Sequence, residues 1–438
     1  MIRALPDINK LLFMILICAS ATAQGQPIFD PAEAYPGGNA TSKAIEPSAA
    51  FSGPVSTLPA PELSQFKKGS TLFYTRWVAR PATPPALQGL GPLYNALSCE
   101  QCHRNDGRGR PPKNGLFDTE VTGTVAQFAQ LKSEYGEQLQ DRAVAGLKPE
   151  GQLMLQLISR EGRYTDGLKF SLATPFWSIK QTTSLSIPNT ISVRTAPAIF
   201  GLGLLEAIPD SHLESLADPD DYNGDGISGV RGIGRFGWRA TQVTLLQQTA
   251  HALLIDMGVS SKLYPQTFGD CTPHQTVCQA LAGDGIEANE KFLQSVTDYV
   301  ANLGPPPRYA EPKIVNRGRS IFYSSNCDAC HTPSHTTGSH RFSWLSGQTI
   351  WPYTDLLLHD MGEGLADGGG REWRTPPLWG LGRHQEVNGN ANYLHDGRAM
   401  TIEQAVLWHG GEAKQSRRSF TRLNASDREA LIAFLKSL

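Results

Sequence analysis

Charge of one sign is not in excess in this chain: 39 Lys and Arg stand against 41 Asp and Glu, a net of −2 over 438 residues. That leaves no electrostatic case for nucleic acid or an anionic membrane surface as partner. Long apolar runs are missing too, since beyond the N-terminus no segment approaches the length that spans a bilayer. The N-terminal run, Leu11 to Ala19, is itself short. Preceded by Arg3 and Lys10 and followed by Ala21-Thr22-Ala23, it has the layout of a cleaved export signal. Residues 1–23 are therefore expected to be removed, leaving a mature protein in the periplasm. Strand signals are sparse and scattered. Residues 24–60 are rich in Pro, Ala, Ser and Gly without sustained periodicity and are expected to form an arm.

Cysteine is also scarce, and its placement carries the strongest signal. Four of the seven cysteines fall in two copies of C-x-x-C-H, Cys99-Glu100-Gln101-Cys102-His103 and Cys327-Asp328-Ala329-Cys330-His331. This is the attachment signature of c-type haem. Two thiols three residues apart can form thioethers to porphyrin vinyl groups, and the adjacent histidine offers its imidazole to the iron. A zinc site would require the two pairs to converge or to recruit further ligands. A redox C-x-x-C has no use for a histidine fixed directly behind it. Two covalently attached haems are expected, and attachment outside the cytoplasm agrees with the export signal. Cys18 leaves with that signal, so Cys271 and Cys278 remain. In an oxidising compartment their simplest state is a disulfide closing a small loop, with a pair of free thiols as the alternative.

The chain repeats itself. Phe66, Gly69 and Phe73 precede the first haem motif as Gly318 and Phe322 precede the second. Farther on, Arg194-Thr195-Ala196-Pro197 and Gly201-Leu202-Gly203 are echoed by Arg374-Thr375-Pro376-Pro377 and Gly380-Leu381-Gly382. Each unit closes with an amphipathic helix, carrying Phe292, Val296, Tyr299, Val300 and Leu303 in one and Leu431, Phe434, Leu435 and Leu438 in the other. Ser426 and Glu429 have the spacing of a capping box at the start of the second. Gly304-Pro305-Pro306-Pro307 marks a boundary. The expected fold is mainly α, two cytochrome c-like haem domains in tandem, residues 61–304 and 305–438, the first enlarged by an insertion.

With these motifs, and with Tyr393 to Arg398 and Glu403 to Val406, the chain resembles the bacterial di-haem cytochrome c peroxidase superfamily. Within it, residues 234–240, 356–362 and 409–413 resemble the di-haem oxidoreductase family of peroxidase-like proteins, also labelled thiol oxidoreductases. The resemblance implies a sixth ligand for the C-terminal haem at His409, which would make that iron low-spin with His331. His359, His384, His395, Met361 and Met400 lie in the same region as alternatives. It implies a reactive N-terminal haem on His103, with Trp238 between the centres and Gln248 and Asp256 over the distal face. The register is imperfect, so Glu206 competes as the distal acid. Trp238 as a plain core residue and Asp256 as a solvated helix residue stand beside these roles.

The implied activity is reduction of hydrogen peroxide or a related oxidant with electrons from a small redox protein or a quinol-linked donor. Alternatives are peroxide-driven oxidation of a protein side chain and a non-catalytic electron carrier. Thiol oxidation has no separate support, because no mature cysteine is left over. Last, Asp221, Asn223, Asp225 and Gly226 have the spacing that opens a calcium-binding EF-hand loop. Gly232 stands at the twelfth position in place of the bidentate glutamate, so an Asx/Gly turn is the alternative.

Overall fold

The computed structural model describes residues 30–44, 46–80, 87–115, 120–128, 132–182, 191–308 and 313–438. The expected export signal lies outside the described residues. The repeat becomes two matching helix crossings. On helix Leu63–Tyr74 the buried residues are Phe66, Gly69 and Phe73, spaced i, i+3, i+7. They face helix Glu290–Ala301, whose apolar side is buried in turn. A Cβ at Gly69 would overlap the Ser295 carbonyl, so glycine is what lets the two backbones touch. Helix Lys313–Ser324 crosses helix Ala425–Ser437 the same way, and a Cβ at Gly318 would overlap the Ala430 carbonyl.

The second closing helix starts earlier than the expected box. Asn424 is its N-cap, with Oδ1 accepting from the Asp427 amide at 3.0 Å, and Ser426 Oγ donates to that same oxygen at 2.7 Å. Asparagine caps as well as serine does, and the helix takes the first good cap it meets.

The expectation of a mainly α pair of cytochrome c-like domains is corrected by the structure. Its content is 35 % helix with 17 % strand in small sheets. The longest strands, Gly151–Arg163 and Lys169–Gln181, pair antiparallel from Gly151 opposite Gln181 to Arg163 opposite Lys169. Leu153, Leu155 and Leu157 share one side of the first strand, although Met154 and Ile158 interrupt the alternation. Asp166-Gly167 supplies the turn, with Gly167 at φ 86°. A second ribbon, Thr124–Phe128 against Ile191–Thr195, delivers the Arg194–Pro197 motif to the centre.

The main apolar cluster also runs through both halves, joining Phe73, Leu204 and Phe292 to Leu345, Leu356 and Trp379. The echoed glycines interlock there. A Cβ at Gly201, φ 75°, would overlap the Trp379 ring, and one at Gly380, φ 70°, would come within 2.7 Å of Phe200. The described part of the 24–60 arm joins the same core through Ala40, Ala50, Phe51 and Val55. Its Glu33, fully buried, is bonded to Arg308 Nη1 at 2.8 Å, Arg319 Nη2 at 2.7 Å and the Tyr353 hydroxyl at 2.8 Å. A carboxylate can be buried only with such partners, and removing one would leave the others unpaired. Cys271 and Cys278 are joined as a disulfide, Cα atoms 6.1 Å apart.

Candidate functional site

Cys99–Cys102 forms a single helical turn, and His103 ends it. Both thiols and the imidazole line a cavity of about 260 Å3. His103 Nδ1 lies 2.8 Å from the Pro197 carbonyl, which can only accept, so the proton sits on Nδ1 and the Nε2 lone pair is left for a metal. Burial lowers the His103 pKa and keeps the ring neutral. Burial also pushes the Cys99 thiol up to about 12 and Cys102 well above its usual value. Two neutral thiols and a correctly polarised imidazole on one turn fit a covalently held haem.

A second cavity, of about 190 Å3, is lined by Cys327, Cys330, His331 and His409. His331 Nδ1 is 3.1 Å from the Tyr353 carbonyl and His409 Nδ1 is 2.7 Å from that of Ala405. Both rings thus keep Nε2 free. Their centroids are 6.4 Å apart, so the two rings face each other and would both be available to a haem held by Cys327 and Cys330. Of the alternatives, His384 and Met361 also line this cavity. His359 is held by Asp355 at 2.8 Å and Glu412 at 2.7 Å. Burial opposes its charge, but Asp355, Cys330 and Glu412 raise its pKa to about 12, and both ring nitrogens are taken by carboxylates. His395 stacks on Trp373 at 3.6 Å and 9°. Met400 is exposed.

The cavities share a wall. Arg108, Trp238, Arg374, Pro376, Pro377 and His384 line both. Trp238 is buried, and its indole N–H donates to the Thr195 carbonyl at 2.8 Å. The Arg108 guanidinium carbon lies 5.4 Å from the Trp238 ring centroid. Burial lowers Arg108 and Arg374 to about 10. Sequence reading missed the functional position of both. Arg374 had a signal, since it opens the echo of Arg194; Arg108 had only its nearness to the first haem motif.

The profile of the family described as "di-haem oxidoreductase, putative peroxidase" matches residues 31–132 and 182–438. The chain belongs to the di-haem oxidoreductase family. No curated protein matches it. Among solved structures, a chain of Kuenenia stuttgartiensis hydrazine synthase, pressurised with 20 bar xenon, is similar at 14 % identity, over 99 % of this chain and 100 % of that one, with a TM-score of 0.37.

In this di-haem oxidoreductase, Gln248, Asp256 and Trp238 come together on the wall of the N-terminal cavity. Gln248 and Asp256 lie on helix Leu245–Met257, two turns apart, so one helix presents both. Burial raises the Asp256 pKa against the bond that Gln138 Nε2 donates to Oδ1 at 2.8 Å. Gln248 Oε1 is buried without a partner. Glu206 is elsewhere. It accepts from the Leu245 amide at 2.7 Å and meets His340 Nε2 at 3.2 Å, which braces the start of that helix. Burial works against its charge, but those bonds hold its carboxyl below the usual range. The side-chain oxygens of Asp221, Asn223 and Asp225 accept backbone N–H bonds from Gly226, Asp225 and Ile227 within their own exposed loop. These are the hydrogen bonds of an Asx/Gly turn.

Proposed function

We propose that this di-haem oxidoreductase is a periplasmic peroxidase, exported by its N-terminal signal. One haem is held by Cys99, Cys102 and His103 and the other by Cys327, Cys330, His331 and His409. Hydrogen peroxide is reduced at the first, with electrons drawn through the second from a small redox protein or a quinol-linked donor. The observation that carries this reading is the placement of the imidazoles, with His409 facing His331 at 6.4 Å between ring centroids while His251 of the N-terminal cavity is turned to Glu137. The C-terminal cavity has two facing rings with free Nε2 atoms, whereas the N-terminal one sets His103 in a cavity whose wall carries an amide and a carboxyl, Gln248 and Asp256.

Haem, when bound, supplies a reducible iron and, where one axial position is open, a place for peroxide. The rest is done by side chains. Reducing H2O2 to two H2O consumes two electrons and two protons, and the O–O bond breaks most easily when a proton moves from the near oxygen to the leaving one. In this reading Asp256, on the cavity wall, takes that proton at a carboxylate oxygen and gives it back. Its raised pKa brings it nearer the working pH, which suits a group that must do both. Gln248 Oε1 offers an acceptor that can orient an O–H group. Trp238, in the wall common to both cavities, shortens the path electrons must cross.

His251 and Met257 also line the N-terminal cavity, and His251 Nε2 is turned to Glu137 at 3.3 Å. Stopped-flow mixing with peroxide tests the reading. Asp256→Asn should slow the reaction by about a hundredfold or more with the ferric spectra of both haems unchanged. A wild-type protein that leaves peroxide intact in every redox state would remove the proposal.

A further inference from the structure

The family profile stops at residue 132 and resumes at 182, yet part of the unmatched stretch forms the wall of the N-terminal cavity. Gln138 is fully buried and lines that cavity beside Asp256. Its Nε2 donates to Asp256 Oδ1 at 2.8 Å and to Asn95 Oδ1 at 2.8 Å. Two residues on, Gln140 Nε2 donates to the Ile255 carbonyl at 2.9 Å. The two amides therefore grip the last turn of helix Leu245–Met257, the turn that bears Asp256. From the other side the Asn95 and Ala96 amides donate to the Asp256 carbonyl at 2.8 and 3.1 Å.

The gripping segment is itself held. Asp270 accepts from the Glu137 amide at 2.9 and 2.8 Å and from the Gln138 amide at 2.9 Å. Thr272 Oγ1 donates to the Glu134 carbonyl at 3.0 Å. Asp270 and Thr272 flank Cys271, so the Cys271–Cys278 disulfide loop anchors the segment that anchors the acid.

We propose that Gln138 is a positioning residue for Asp256, supplied by a segment that lies outside the residues the family profile matches. It fixes the carboxylate by donating to one of its oxygens and favours the charged form that burial disfavours. This rests on the reading of Asp256 as the proton-transfer group of the N-terminal haem. The other groups facing Asp256 are His251 on its own helix and the Cys99 and Cys102 sulfurs of the attachment turn. Asp141 and Arg142 stand behind Asn95, whose Nδ2 donates to Asp141 Oδ1 at 3.3 Å. Gln138 is the side-chain donor to the Asp256 carboxylate that the structure displays.

The test uses full-length holoprotein carrying Gln138→Leu, Gln138→Glu or Asp256→Asn. Cyanide binding to the ferric N-terminal haem is followed against pH, beside the peroxide reaction. Cyanide binds without turnover, and the acid limb of its rate reports protonation of a nearby base. Loss of the donor in Gln138→Leu should move that limb upward by about one pH unit, and a second carboxyl in Gln138→Glu should move it further. Haem content and the C-terminal haem spectrum should not change, and Asp256→Asn should abolish the limb. An unmoved limb in either Gln138 variant, or an equal slowing at every pH, overturns the proposal, as does a wild-type limb in Asp256→Asn. If Gln138→Leu fails to fold, the near-isosteric Gln138→Glu decides alone. Wild-type protein that shows the Asp256-dependent limb but spares peroxide defeats the peroxidase reading and leaves the role of Gln138 standing.

Discussion

The two cavities begin from the same local structure and diverge at the residues that face into them. In each, a helix whose one glycine lets a later helix cross it closely precedes the C-x-x-C-H turn, and a phenylalanine sits near the histidine, Phe73 with its centroid 6.4 Å from His103 and Phe322 6.5 Å from His331. The histidine tethers already differ. His103 is tied to Pro197 of the Arg-Thr-Ala-Pro motif, whereas His331 is tied to Tyr353, a residue at φ 55° whose hydroxyl reaches the buried Glu33. In the C-terminal cavity His409 faces His331 at 6.4 Å between ring centroids, and the N-terminal cavity is lined by Gln248 and Asp256 together with His251, which is turned to Glu137. The repeated part builds the C-x-x-C-H turn, and the unrepeated part supplies the residues that line the cavity beside it, which under the proposed function would leave one iron closed and the other open. That contrast can be broken or sharpened experimentally.

The largest effect is expected from removing what makes the C-terminal unit closed. His409→Ala should convert its low-spin signal to high-spin and cut peroxide turnover by roughly a hundredfold, about 2.7 kcal/mol of barrier. Unchanged spin state would mean that the ring facing His331 is not a ligand.

The common part is probed next. Gly69→Ala and Gly318→Ala each force a methyl into a carbonyl of the facing helix, which should cost about 1–3 kcal/mol in chemical denaturation. Similar losses in both would support equivalent crossings; a neutral result at one would say that only the other is close-packed.

How much of this was legible in the sequence follows from how local each signal is. Cys99 to His103 and Cys327 to His331 are contiguous, so they stood out at once, and His409 could be reached by counting from His395. The Asn424 cap was two residues from the expected place because serine and asparagine cap equally well. The Gly151–Gln181 hairpin was missed because its alternation is interrupted, as where Leu157 and Ile158 adjoin, and only the register displays it. Gln138, Arg108 and Glu33 were not legible, because each acts on residues far along the chain. Glu33 meets Arg308 and Arg319 only after folding, and no spacing in one sequence announces such a meeting.

A smaller effect is expected at the shared wall. Trp238→Phe keeps an aromatic ring but removes the donor to Thr195. Inter-haem electron transfer after a reductive pulse should slow about tenfold, about 1.4 kcal/mol of barrier, with both ferric spectra intact. An unaltered rate would assign Trp238 to the core alone.

The smallest concerns pH. In the N-terminal half, burial raises Glu150 to about 8, Asp270 to about 7 and Asp106 to about 6. These carboxyls hold their protons in the folded state after the unfolded chain has lost them, so stability falls as pH rises from about 4 to about 8. In the C-terminal half, Asp396 and Glu412 are lowered. Burial opposes this, but Arg398 and His359 outweigh it. Their contribution is present above the usual carboxylate range and is lost as pH falls below about 4. Hydrogen exchange at about pH 5.5 and 8.5 should therefore show protection around Glu150 and Asp270 weakening at the higher pH while that around Asp396 holds. Uniform change in both halves would contradict the assignment.

The central claim, that the two centres are unlike, is tested most directly by electron paramagnetic resonance of the ferric holoprotein with peroxide added stepwise. The account predicts one low-spin and one high-spin or readily opened ferric haem, with peroxide altering the second first. Two low-spin haems in every redox state, neither responding to peroxide, would contradict it.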